Sequence, residues 1–289
     1  MPTRTLIFPP IPQDTATAAG ALFGTGNIYL RLGEHVNAIV STLPQTGLDS
    51  TDKKSRATRC MYAMLTAFQF AEELPDRQAV EAFRNRVDLK YALHLPLNYP
   101  SFTPQALCET RRLFLTNPPS QEMFQALLDR LAAFGLLKES EAHPVETNRV
   151  LEAICTGSRL ENIVEAMYQV LEALAAANPD WLRQVTLPLW YERYSRRTRI
   201  MCWPNSHGYW KAIALNIGMD MHYLLGKVQQ SGLSAISELE EVQNLGRILE
   251  EHFIFSMDKP NYANRVQWRP ACCASCSRAA DTTEEVLWR

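Results

Sequence analysis

MYAMLTAFQFAEELPDRQAVEAFRNRV, Met61 to Val87, carries two apolar stripes separated by a proline. Met61, Met64, Leu65, Phe68, Ala71 and Leu74 recur at three- and four-residue spacings, which places them on one face of a helix. Pro75 ends that helix, because proline lacks an amide hydrogen and its ring clashes with the preceding turn. Asp76 is then positioned to cap a second helix with Ala79, Val80, Phe83 and Val87 facing inward. Two helices joined by a tight turn, with cations on the second, have the outline of a helix-turn-helix. That outline is also common to helix pairs that only pack a core.

Charge gathers around this pair. Between Lys53 and Arg112 there are ten Lys/Arg against six Asp/Glu, whereas the whole chain has a formal charge of −2. Any nucleic-acid surface is therefore local. A second cluster, RYSRRTR, places four arginines between Arg193 and Arg199, with Tyr191 and Tyr194 beside them. The segment Glu238 to Asp258 is acidic. The competing reading of the first cluster is a solvated helix face with intrahelical ion pairs such as Asp88 with Arg84.

Further out, the helical period continues. Thr103-Pro104 is a cap followed by proline at the first helical position. Ser120 is placed to cap a helix with Met123, Phe124, Leu127, Leu128, Leu131 and Phe134 on one face, ended by Gly135. His143 to Val150 favours a short strand. Ser158 and Glu161 fit a capping box ahead of a long helix that Asn178-Pro179 ends. The tryptophans, including Trp181, Trp190, Trp203 and Trp210, are expected to anchor helix packing. From Pro260 onward the periodicity fails, so that tail is expected to be disordered.

At 289 residues and 46% apolar, the chain has ample material for one large domain or two ordinary ones. It has no signal peptide at its start and no run of about 18 apolar residues, so a cytoplasmic location with no membrane partner is expected. Seven cysteines, odd in number and widely spread, are expected to be reduced thiols. Cys273 and Cys276 make half of a zinc site, but Cys202, His207 and His222 are too scattered to supply the other half. Cys108 reads as core packing, and there is no glycine-rich phosphate loop.

QFAEELPDRQAVEAFRNRVDLKYALHLPL (Gln69 to Leu97), the corner PSF (Pro100 to Phe102) and LCETRRLF (Leu107 to Phe114) together resemble the InsH-type N-terminal domain of bacterial insertion-sequence DDE transposases. The resemblance covers roughly residues 6 to 269. Leu89 stands where that family usually has tryptophan, and Ser101 where it has glycine. The resemblance implies a head domain that grips the terminal inverted repeats of an element as double-stranded DNA. Arg77, Arg84, Arg86, Lys90, Arg111 and Arg112 would then pair with phosphates, and Gln78 would read a base edge. Arg193, Arg196 and Arg197 would supply a second backbone grip.

Strand cutting in this superfamily uses three carboxylates around a pair of Mg2+ ions, which take hard oxygen ligands. By the resemblance, Glu146 occupies the position of the first aspartate, as catalytic residue and metal ligand, with one methylene more than the family's side chain. The later carboxylates are not matched, a pattern that a truncated or frameshifted gene would give.

The expected fold is mainly α: a helix-turn-helix-like N-terminal domain, then a helical region and an incomplete RNase H-like catalytic portion. The expected divisions are an arm and first helix (1–50), the DNA-binding domain (51–137), the start of the catalytic region (138–258) and a divergent tail (259–289). The expected function is DNA binding for transposition without cleavage by this chain alone, with no cofactor of its own. A second copy or a full-length transposase is a further partner. The alternatives are one half of a split active transposase and a helical protein-interaction module.

Overall fold

A computed structural model describes residues 7–44, 53–100, 102–137, 145–194, 207–255 and 266–269. The described residues are mainly helical and divide into two compact units, one up to Ile154 and the other from Cys155 to Ser275. The division falls inside a helix. The N-terminal arm and the 51–137 segment share the first unit.

The first unit is built from α1 (Gln13–Leu22), α2 (Ile28–Ser41), α3 (Lys53–Ala71), α4 (Asp76–Asn85), α5 (Val87–Ala92), α6 (Pro104–Thr116) and α7 (Pro118–Phe134). The first turns of α8 (Thr147–Ala177) complete it. Met64, Leu65 and Phe68 of the first stripe are fully buried, with Met61, Ala71 and Leu74 packed around them. Ala79 and Phe83 of α4 join the same core.

Helix ends follow local chemistry. The Asn27 side chain accepts from the amides of Tyr29 and Leu30 at the start of α2. Thr103 accepts from the Ala106 amide at 3.1 Å, with Pro104 opening α6 as expected. Gly135 ends α7 at φ 88°, a conformation open to glycine without a Cβ penalty.

Several helix starts differ from expectation. Pro75, not Asp76, is the N-cap of α4, which frees the Asp76 carboxylate for another partner. Asn117, not Ser120, caps α7 by accepting from the Ser120 amide. The expected strand near residue 146 is instead the start of α8, which runs 31 residues from Thr147. The Val150 amide donates to the Glu146 carbonyl there, and Val150 and Leu151 are buried, so packing of the first turns overrides the β-favouring side chains. Ser158 and Glu161 consequently sit buried in mid-helix, away from a helix start.

Gly33 sets the approach of α2 to α5. A Cβ there would lie 2.7 Å from Cδ1 of Tyr91 and 2.9 Å from the Tyr91 carbonyl oxygen, so no larger residue fits without movement. At the end of α5, His94 adopts φ 56° and places its ring between the carbonyls of Gly33 and Pro9.

The second unit packs the rest of α8 with α9 (Pro179–Val185), α10 (Pro188–Tyr194), α11 (His207–Ser231), α12 (Ser234–Ser237) and α13 (Glu240–His252). Its core gathers Met167, Val170, Leu174, Trp190, Trp210, Met221 and Leu245. Both Trp190 and Trp210 are buried there, in the helix-packing role the sequence suggested. A short antiparallel ribbon closes it: β1 (Phe253–Phe255) pairs with β2 (Val266–Trp268), Ile254 opposite Gln267. Residues 266–269 are thus folded, contrary to an expectation that disorder begins by 260. The rest of that tail, with Cys273 and Cys276, lies outside the described residues. No helix among the described residues is long and apolar enough to cross a membrane.

Candidate nucleic-acid interface

The charged residues between α3 and α6 divide by the direction of their side chains. Arg111 is an interior residue, 1% exposed. Its Nη1 and Nη2 donate to Oδ1 and Oδ2 of Asp76 at 2.7 and 2.6 Å, and Gln69 Nε2 donates to the same Oδ1 at 2.9 Å. A guanidinium held this way is withdrawn from any phosphate, which corrects the expectation for Arg111. The pair pins the first turn of α4 to α6.

Arg86 is half-buried between two acids. Its Nη1 donates to Glu72 Oε2 at 2.6 Å, while Nε and Nη2 fork onto Asp88 at 3.1 and 2.8 Å. The guanidinium also lies over the Tyr29 ring, whose hydroxyl donates to Glu72 Oε1. Burial works to lower the Arg86 pKa, but hydrogen bonds to Asp88 and Glu72 outweigh it and hold the charge more firmly than usual. Burial, and then the Glu72 contact, raise the Tyr29 hydroxyl above its usual range. Asp88 therefore pairs with Arg86 and not with Arg84. Lys90 is buried too; its Nζ donates to the Leu97 carbonyl, and burial lowers its pKa. Arg86 and Lys90 thus bind the corner between α4, α5 and the following turn, which corrects their expected place on a DNA-facing row.

The remaining members face outward. Arg77 and Arg84 are exposed on α4, seven residues and therefore about two turns apart on one side of the helix. Gln78 is half-buried beside Arg77, and Glu81 shares the exposed face. Arg112 is exposed on α6, the helix that packs against α4. The Arg111–Asp76 bridge joins the two helices that carry these exposed arginines.

In the second unit, Arg193 donates to Asp220 Oδ2 at 2.5 Å and Tyr194 donates to the same oxygen at 2.8 Å. Burial, followed by the Asp220 charge, raises the Tyr194 hydroxyl well above its usual range. Arg193 is thus engaged internally, which corrects its expected role as a backbone grip. Arg196 and Arg197 lie outside the described residues. Glu146 is exposed at the head of α8, and no group of three or more His, Cys, Asp or Glu among the described residues could hold a metal ion.

Two further features escaped the sequence reading. Arg159, 5% exposed, lies 4.2 Å from the centroid of the Trp268 ring, and its Nε donates to His252 Nδ1 at 3.3 Å. Burial, then the Arg159 charge, push His252 down to about 4. Arg159 Nη1 also donates to the Arg269 carbonyl, 110 residues away, so the sequence carried no sign of this group. A cleft of about 340 Å³ also opens between α3, α6 and α7. Cys60 is a free thiol as expected, whereas Cys108 is disulfide-bonded, which corrects the expectation that all seven cysteines are reduced.

The chain matches no protein-family model, no curated protein and no solved structure.

Proposed function

We propose that this chain binds double-stranded DNA at the ends of an insertion element, as the DNA-holding part of a transposase, without cutting it. The observation that carries the reading is the outward set Arg77, Arg84 and Arg112, kept on two packed helices by an internal Arg111–Asp76 bridge. Exposed arginines on a rigid support present their guanidiniums to a phosphate chain. Gln78 lies next to them, where an amide could reach a base edge. The similarity of Gln69 to Phe114 to the transposase head domain supplies the class of DNA.

In this reading α3 and α4 form the helix-turn-helix-like pair, and residues from 138 onward correspond to the opening of an incomplete RNase H-like region. A second copy or a full-length transposase is the further partner. Cleavage is not assigned to this chain: Glu146 is exposed, and no group of three or more His, Cys, Asp or Glu among the described residues could hold a metal ion.

The test is fluorescence anisotropy with a labelled duplex from the inverted repeats flanking the gene, titrated across a range of NaCl. Binding whose logarithm falls linearly with the logarithm of salt, and which exceeds that to a shuffled duplex, supports the reading. Absence of binding at low salt overturns it and leaves a helical protein-interaction module.

A further inference from the structure

The cleft between α3, α6 and α7 has an apolar wall made by Tyr62, Leu113, Phe114 and Met123. Phe114 is fixed by stacking on Phe124, with ring centroids 4.4 Å apart and planes 3° from parallel. Two polar side chains line the same cleft without being satisfied. Glu109 Oε1 accepts from Gln105 at 2.9 Å, but its Oε2 is shielded from water and has no hydrogen-bond partner. Ser120 is 1% exposed, and its hydroxyl likewise has no partner. Buried polar atoms are nearly always paired, so two orphans at one cavity call for an explanation.

The kind of molecule that would repair both is restricted. A carboxylate oxygen needs a donor, and a hydroxyl accepts or donates. Arg59 and Arg112 also line the cleft, so a cationic head would be repelled there, while an anion would be opposed by Glu109. A volume of about 340 Å³ stands at the lower end of ligand cavities, enough for one or two rings. The Tyr62 hydroxyl is raised by burial first and then by Tyr99 and Glu109, consistent with a sparsely hydrated wall.

We propose that this cleft binds a small, uncharged, mostly apolar ring compound that donates an N–H to Glu109 and shares a hydrogen bond with Ser120. Because Glu109 Oε2 and the Ser120 hydroxyl are both shielded from water, the proposal includes a turn of each side chain toward the bound molecule. The site rests on no assumption about DNA.

Calorimetric titration of the full chain with indole and with benzofuran tests this, because the two share a shape and differ by N–H against oxygen. Indole is expected to bind at least about ten-fold more tightly. The preference is expected to vanish in Glu109→Met, and both probes are expected to be lost in Leu113→Trp, with thermal melting used to confirm that each variant is folded. Indole is also expected to shift the Met123 methyl signal and leave that of Met221, in the other unit, unmoved. Equal affinities in the unaltered chain, no saturable indole binding at millimolar concentration, or a shift at Met221 alone would each overturn the assignment. The probe comparison and the methyl map use the unaltered chain, so a variant that fails to fold does not block the test.

Discussion

Arg111 presents its two terminal nitrogens to the two carboxylate oxygens of Asp76, at 2.7 and 2.6 Å, with Gln69 completing the arrangement from α3. Three helices thus meet at one desolvated ion pair, next to an exposed arginine at position 112. Removing one partner of such a pair strands a charge in the interior. Arg111→Ala is therefore expected to cost about 3–5 kcal/mol in urea denaturation, whereas Arg111→Met combined with Asp76→Leu should cost much less. Equal losses in the single and double variants would show that the cavity, and not the stranded charge, dominates.

The bridge also shows where the sequence was readable. The periods of α3, α4 and α7, the Thr103 cap and the Gly135 stop were all legible, because each depends on residues within one or two turns. Arg111 was not, although it falls between Leu107 and Phe114 on the buried side of α6, a spacing that marks an inward position. Its partner is 35 residues away, and charge alone suggested the surface. Glu146 misled for a related reason: local β-favouring residues precede a helix whose first turns are held by tertiary packing. The β1–β2 pairing joins two three-residue strands, too short for any alternation to be visible. For the expected DNA-facing residues in the first unit, the neighbourhood was legible in the sequence, while the direction of each side chain came only with the fold.

Stability is expected to fall in mild acid because of His252. Its folded pKa, about 4, lies below the usual value of 6.5, since burial and the adjacent Arg159 both disfavour the imidazolium. The unfolded chain therefore takes up this proton first as pH drops. The stability linked to the neutral ring is complete above about pH 6.5 and is lost progressively towards pH 4, by up to about 3 kcal/mol. Denaturant midpoints measured between pH 7.5 and 4, against a His252→Phe variant, should show the unaltered chain losing more. A parallel loss in both would assign the acid sensitivity elsewhere.

Gly33 is expected to tolerate no side chain. The Cβ of Gly33→Ala would meet the Tyr91 carbonyl at 2.9 Å, and a main-chain atom cannot rotate away as a side chain can. The two helices must separate, at a cost of about 1–3 kcal/mol. Thermal melting checks this directly. Tyr91→Ala, which clears the ring but not the carbonyl, should fail to restore the stability of Gly33→Ala.

Arg112 and Lys90 offer opposite outcomes if the first unit binds DNA as proposed. Arg112 is exposed, whereas Lys90 is 6% exposed and donates to the Leu97 carbonyl. Neutralising an exposed phosphate contact removes one counterion-release event and little else. Arg112→Gln should therefore lower the slope of log K against log salt by about 0.9 and leave stability within about 0.5 kcal/mol of the parent. Lys90→Gln should do the reverse, shortening a buried donor so that the Leu97 carbonyl loses its partner, at about 1–3 kcal/mol of stability, while the folded protein keeps its salt slope. Anisotropy across NaCl concentrations, paired with urea titration of the same two variants, reads both quantities. A salt slope that moves with Lys90 and not with Arg112 would place the phosphate contact on the wrong side of α4 and α6 for the surface proposed.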